Sequence, residues 1–187
     1  ELEQLHVVLG FKGVALTDPA YFTSSLVSVV LGGGMSSRLF QEVREKRGLV
    51  YSVYAFSNAF SDAGSFGVYA GAGEKESPEL IQVILGEIEK ASTTLKQHEL
   101  DRAKAQLKAS TLMAFESTAN RAKKVAQNIL LYDRVIPQSE IIERIDQVGL
   151  NDMEAFIQQL IQSPLTFACV GPHRQLPSFD QMKSFLS

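Results

Sequence analysis

Residues 31–54, LGGGMSSRLFQEVREKRGLVYSVY, contain the change in hydrophobic periodicity that decides the fold. Three consecutive glycines end a predicted helix, and Ser36 or Ser37 can then cap the next helix. That second helix carries a Glu42–Lys46 pair at i,i+4, which places opposite charges side by side on a helix surface. After it the apolar pattern changes to period two, which is typical of a β-strand. The stretch therefore predicts two helices followed by a strand, joined by short glycine turns.

The segments on either side extend this pattern. Upstream, residues 6–14 predict a strand. Asp18 and Pro19 then predict a helix cap followed by proline at the first helical position. Downstream, residues 49–60 and 64–72 are rich in aromatic and β-branched residues and predict the two strands of a hairpin.

The rest of the chain has mostly helical spacing. The predicted elements are helices from residue 77 and over about 98–116, 120–132, 139–147 and 151–162, a strand over 165–170, and a terminal helix. There is no internal repeat, low-complexity tract or linker, so the sequence predicts a single domain over residues 1–187. The predicted fold class is α+β, a two-layer sandwich of a mostly antiparallel or mixed sheet packed against helices.

Composition excludes several classes of function. With 45% hydrophobic residues and a net charge of −3, the chain has core material but no basic field for nucleic acid or anionic membranes. One cysteine cannot form an internal disulfide framework. Residues 1–4 do not read as a signal peptide, and no apolar run is long enough to span a bilayer. We expect a soluble protein and slightly favour the cytoplasm. Because the first residue is not Met, we also expect that the N-terminus has been processed or cut.

The segment 31–54 closely resembles the C-terminal half of pitrilysin-type zinc metallopeptidases, in the branch related to mitochondrial processing peptidase. Two further stretches carry the same resemblance, HVVLGFKG at 6–13 and SFGVYAGAG at 65–73, and it covers about residues 5–185. In that family two homologous halves close around a chamber. The resemblance implies that the zinc motif, H-x-x-E-H, lies on a companion half. This half would supply an arginine and, seven residues later, a tyrosine, which here are Arg44 and Tyr51.

The chemistry expected of such a pair can be stated in general terms. When a metal-activated water attacks a peptide carbonyl, negative charge develops on the carbonyl oxygen. A phenol donor and a guanidinium can stabilise that charge and hold an extended substrate in register. Arg44 is predicted on the last turn of a helix and Tyr51 at the start of a strand, with Gly48 turning the chain between them. Arg47 and Tyr54 are the nearby competitors for these roles.

The glycines Gly32, Gly33 and Gly34 allow two interpretations. They do not form a nucleotide site, since the Walker lysine is missing and a helix, not a strand, precedes them. One interpretation is that they let two helices meet at a tight angle. The other, implied by the resemblance, is a mobile loop that binds substrate.

The three histidines, His6, His98 and His173, form no zinc motif. We therefore predict no metal and no cofactor in this chain, and no activity for this chain alone; the resemblance implies that the zinc lies on a companion half. The predicted function is the C-terminal half of a zinc metalloendopeptidase that processes peptide substrates. The alternative is a non-catalytic scaffold or regulatory subunit that pairs with a separate catalytic chain. The expected partners are a peptide and the companion half, which lies in the same polypeptide or in another subunit. An isolated half exposes the surface that its companion would cover, so a homodimer is the further alternative.

Overall fold

The computed structural model describes residues 3–186, so residues 1, 2 and 187 of the predicted domain lie outside the described residues. Four strands form one sheet, in the order β2-β3-β1-β4, and every pairing is antiparallel. The strands are β1 (Leu5–Lys12), β2 (Val50–Ala59), β3 (Gly64–Ala72) and β4 (Thr166–Val170). Each begins or ends within two residues of its predicted bounds.

Seven α-helices and one π-helix are seen in the described part of the chain. They are α1 (Tyr21–Gly32), the π-helix Phe40–Glu45, α2 (Ser77–Thr94), α3 (Gln97–Glu116), α4 (Thr118–Tyr132), α5 (Gln138–Gln147), α6 (Leu150–Gln162) and α7 (Phe179–Ser184). The α+β class predicted from sequence is confirmed, with an antiparallel sheet forming one layer and helices the other.

Alternation along the strands explains why the helices cover one face of the sheet. In β1, Leu5, Val7, Leu9 and Phe11 are buried, while the residues between them are only partly covered. In β3 the core side chains Phe66, Val68, Ala70 and Ala72 keep this spacing, so one face of the sheet joins the hydrophobic core with residues of α1, α2 and α6. The opposite face carries His6, Tyr54 and Tyr69, side chains that remain partly accessible.

Two predicted helix starts were wrong. Pro19 is not the first residue of α1, because Asp18 instead accepts a hydrogen bond from the Ala20 N–H in a turn that precedes the helix. Neither Ser36 nor Ser37 caps the next helix, since the Ser37 hydroxyl donates backwards to the Gly34 carbonyl. Local side-chain hydrogen bonds of this kind compete with capping, and sequence spacing does not distinguish them.

The second predicted helix also has a different backbone. Over Phe40–Glu45 it winds as a π-helix, in which each N–H bonds to the carbonyl five residues back; the Lys46 N–H donates to the Gln41 carbonyl at 3.0 Å. The predicted Glu42–Lys46 ion pair is present. Single π-turns of this type are rare and often occur at functional sites.

Candidate functional site

Arg44 lies near the end of the π-helix and is exposed. Its guanidinium stacks 4.9 Å from the centroid of the Phe40 ring, which orients the side chain without occupying its N–H donors. Within residues 3–186 no carboxylate forms an ion pair with it. Arg44 is therefore a cation with free donors.

Tyr51 lies at an irregularity at the start of β2. Val50 pairs with Ala72 and Ser52 with Gly71, so Tyr51 is the extra residue of a β-bulge on this edge strand. A bulge re-aims the side chain it displaces and is frequent beside functional sites. The Tyr51 side chain is 67% exposed, and no residue in the described part of the chain hydrogen-bonds its hydroxyl.

A short hydrogen-bonded turn connects the two residues. Gly48 adopts φ +64°, the left-handed conformation that glycine adopts at little cost, as predicted for the residue that turns the chain. Its N–H donates to the Arg44 carbonyl at 3.1 Å, and the Leu49 N–H donates to the Val43 carbonyl at 2.8 Å. The side chains of Val43 and Leu49 are both buried. The structure thus fixes the backbone at both ends of the segment between Arg44 and Tyr51.

The competing arginine has a partner of its own. The Arg47 guanidinium forms an ion pair with Glu79 on α2, with Nη1 3.1 Å from Oε1. Another arginine of the same segment, Arg38, is held more firmly, since its guanidinium donates to both oxygens of Glu99 at 2.7 and 2.8 Å. Burial raises the pKa of Glu99, but the hydrogen bond and charge of Arg38 outweigh it and hold that pKa below its usual range. Arg38 and Arg47 each form an ion pair with a glutamate on a helix, whereas Arg44 forms none with any carboxylate in residues 3–186.

The competing tyrosine belongs to a row of rings on the open face of the sheet. Tyr54 stacks on Tyr69 with ring centroids 4.8 Å apart, and the Tyr69 hydroxyl lies 2.7 Å from His6 Nδ1. This row was missed from the sequence, although a signal was available. The hairpin loop sets the register of β2 against β3, and counting back from it pairs Tyr54 with Tyr69.

The three glycines lie in different environments. Gly32 is buried, and a Cβ there would come within 2.1 Å of the Ala55 backbone nitrogen, so glycine lets α1 approach β2 closely. Gly33 is half-buried, and its carbonyl accepts a hydrogen bond from Gln106 on α3 at 2.7 Å. Only Gly34, at φ +153°, is exposed, with open space where a Cβ would stand. Of the three, Gly34 alone is placed to touch another molecule.

The described residues do not bring together the side chains that a zinc site needs. No group of three or more His, Cys, Asp or Glu side chains converges on a common point within residues 3–186. His6 is bonded to Tyr69, and His173 Nδ1 lies 2.9 Å from the Gly171 carbonyl. The described residues therefore do not fit a zinc ion. None of the helices they form has the length and apolar character needed to cross a bilayer.

Comparison with known proteins relates the chain to a peptidase family. The family profile described as the Peptidase M16 inactive domain matches residues 1–107. The chain is 36% identical over 171 residues to an uncharacterized zinc protease of Streptomyces coelicolor, which covers 91% of this chain and 37% of that protein. It is 35% identical over 181 residues to the uncharacterized zinc protease YmxG of Bacillus subtilis, covering 95% of this chain and 44% of that protein.

A similar structure is a chain of complex III2 from Candida albicans, solved with Inz-5 bound. The TM-score is 0.90 at 21% identity, and the alignment covers 99% of this chain and 47% of the other. At this identity the match establishes a shared fold. In each of these comparisons the chain spans less than half the length of its relative.

Proposed function

The chain belongs to the M16 peptidase family, whose inactive domain it matches, and from this premise we propose that it is the non-metal half of a zinc metalloendopeptidase. In this role it holds a peptide substrate against a zinc site on a companion half, in the same polypeptide or in a separate subunit. The length of the relatives, more than twice that of this chain, leaves room for such a half.

The observation that carries the proposal is the state of Arg44 and Tyr51. Both are exposed, neither has a polar partner among residues 3–186, and the Gly48 turn fixes the backbone between them. Of their competitors, Arg47 is paired with Glu79, and the Tyr54 ring, though not its hydroxyl, is held by stacking on Tyr69. Donors that have no partner within the chain are available to a substrate, and a fixed backbone between them reduces the reorganisation needed during the reaction.

The chemical role of each side chain follows from its donors. The Tyr51 hydroxyl would donate to the carbonyl oxygen of the bond under attack, where negative charge develops. The Arg44 guanidinium, with several N–H donors in one plane, would bind a neighbouring substrate carbonyl and keep the peptide extended. Exposed Gly34 is the one glycine of the three that we propose as a backbone contact to the peptide. No step of metal chemistry is assigned to this chain.

The test is a substitution that removes only the hydroxyl oxygen of Tyr51. In this chain combined with its companion half, Tyr51→Phe should lower kcat/KM by about 10–10³-fold with the zinc content unchanged. Tyr54→Phe is the matched control, because phenylalanine keeps the ring stack with Tyr69 and activity should be nearly unchanged. Equal activity of Tyr51→Phe and wild type would remove Tyr51 from the site.

A second candidate role is a non-catalytic subunit. The likeness to a chain of complex III2 favours it, since that chain shares the fold within a larger assembly. The two roles differ in one outcome. A scaffold would assemble with its partner and support full activity after the loss of both Arg44 and Tyr51, whereas a substrate-binding half would assemble and lose activity.

A further inference from the structure

A cavity of about 810 Å³ lies where the start of α1 meets α3, α4, α5 and α6. This volume falls within the range of about 300–1,000 Å³ seen for small-molecule sites. Apolar side chains form much of its wall, among them Leu107, Phe115, Leu131, Ile136 and Phe156. Neither Arg44 nor Tyr51 lines it.

One wall carries a buried amide with no partner. Asn128 on α4 is 2% exposed, and its Oδ1 is buried without a hydrogen bond in the described structure. Most buried polar side-chain atoms in proteins are hydrogen-bonded, so an orphaned acceptor that lines a cavity requires an explanation. Because Oδ1 itself has almost no accessible surface, the Asn128 amide has to turn this atom toward the cavity to accept a hydrogen bond, and a ligand that donates an N–H or O–H would then supply the missing partner.

A cation lies one helical turn away. Lys124 precedes Asn128 by four residues, so both lie on the same face of α4, and both line the cavity. Its ammonium has only a long contact, 3.5 Å to Gln127 Oε1, and no carboxylate among residues 3–186 pairs with it. Burial lowers the pKa of Lys124, which shows that it is partly desolvated without a compensating charge.

The other charged side chains of the lining already have partners. Arg144 donates to Glu140, the Asp18 carboxylate accepts from the Ala20 N–H, and the Asp152 carboxylate accepts from the Gly149 N–H. Asp18 and Asp152 keep their charge, but of the two cations in the described lining Lys124 is the one without a carboxylate partner, and an anionic ligand would bind there.

We propose that this cavity binds an apolar carboxylate that bears an amide N–H, as does the C-terminal residue of a peptide or an N-acylated amino acid. The carboxylate contacts Lys124, the amide N–H donates to Asn128 Oδ1, and the apolar side chain lies between Leu107, Phe115 and Ile136. Each of these three groups of the ligand therefore contacts a complementary group in the cavity wall. The proposal is independent of the peptidase role, since binding is measured on this chain by itself.

Three probes that differ by one group each test the chemistry. N-acetyl-L-leucine has all three features, N-acetyl-L-leucinamide lacks the carboxylate, and 4-methylpentanoate lacks only the acetamido group. For a ligand of about twelve heavy atoms we expect a Kd of about 1 mM, measured by chemical-shift titration of the ¹⁵N-labelled chain. Each truncated probe should bind at least about tenfold more weakly, because a hydrogen bond to a buried or charged group is lost. The tripeptide Ala-Ala-Leu distinguishes the sources: tighter binding than N-acetyl-L-leucine indicates a peptide terminus, and equal binding indicates the single residue.

Two variants locate the site. Lys124→Gln and Asn128→Leu should each weaken N-acetyl-L-leucine by about tenfold or more. Lys123→Gln, at the exposed neighbouring lysine, should have no effect. Asn128→Leu removes an unsatisfied buried amide, so this variant should stay folded, as its amide spectrum will show. The proposal is overturned if no probe shifts the cavity resonances, if 4-methylpentanoate or the amide binds as well as N-acetyl-L-leucine, or if Lys124→Gln binds as wild type does.

Discussion

Arg44 and Arg47 are three residues apart, and replacing each by alanine should affect the enzyme very differently. Arg44 is exposed with free donors, whereas Arg47 is paired with Glu79 at 3.1 Å. In the chain combined with its companion half, Arg44→Ala should lower kcat/KM by about 10–10³-fold, equivalent to about 1.4–4 kcal/mol of lost transition-state stabilisation. Arg47→Ala should leave kcat/KM nearly unchanged.

The stability changes should be small and similar for both variants. Arg44→Ala loses a cation–π contact with Phe40 at an exposed site, worth about 0.5–1 kcal/mol. Arg47→Ala loses an ion pair whose two side chains are 43% and 54% exposed, and such pairs contribute about 0–1 kcal/mol. Thermal unfolding should therefore not separate the variants, so a difference in activity cannot be attributed to loss of folded protein.

The assay is initial-rate cleavage of a quenched fluorescent peptide, with zinc content and unfolding temperature measured on the same preparations. Because the proposed contact is to substrate, both variants should retain the zinc of the companion half. Two results would refute the reasoning: equal kcat/KM in the two variants, or a loss in Arg44→Ala that is matched by a loss of zinc.

Three further predictions concern the scaffold. Gly48→Ala should cost about 1–2 kcal/mol of unfolding free energy in chemical denaturation, since alanine at φ +64° is strained although nothing crowds its Cβ; no change would show that the turn adapts. Glu99→Ala should cost about 3 kcal/mol at neutral pH, because it leaves Arg38, whose side chain is 15% exposed, without a counter-charge and with hydrogen bonds only to Thr94. Because the pKa of Glu99 is lowered in the folded state, its contribution to the free energy of unfolding is present above the unfolded pKa of about 4.3 and is lost as the pH falls below it. The difference in unfolding free energy between Glu99→Ala and wild type should therefore decrease in acid. A difference that does not change with pH contradicts this. Leu130→Glu, at a side chain 85% exposed on α4, should reduce any self-association seen by analytical ultracentrifugation, and an unchanged oligomer would place the contact elsewhere.

The sequence predicted the order and type of the elements because these depend on local periodicity. Strands of period two and helices of period 3.6 were predicted within a few residues of their observed bounds, and Gly48 was predicted as the residue that turns the chain. The π-helix was not predicted, since an α-helix and a π-turn share the same apolar face and differ only in which carbonyl each N–H selects.

The site could be predicted only in part, because its geometry depends on pairings distant in sequence. Arg44 and Tyr51 were named from the resemblance to the peptidase family, but the bulge that displaces Tyr51 requires the register of β2 on β3. The engagement of Arg47 with Glu79 joins the end of one helix to the start of another, which no local pattern specifies. The orphaned amide of Asn128 likewise emerges only when α4 is placed beside α1 and α6.

The most direct test of the account is the zinc content of the purified chain, measured by mass spectrometry together with peptide cleavage, for this chain alone, for the companion half alone and for the two combined. We predict no stoichiometric zinc and no cleavage for this chain alone, zinc in the companion half, and cleavage only when both are present. One zinc ion bound per 187-residue chain, with cleavage by that chain unaided, would contradict the account.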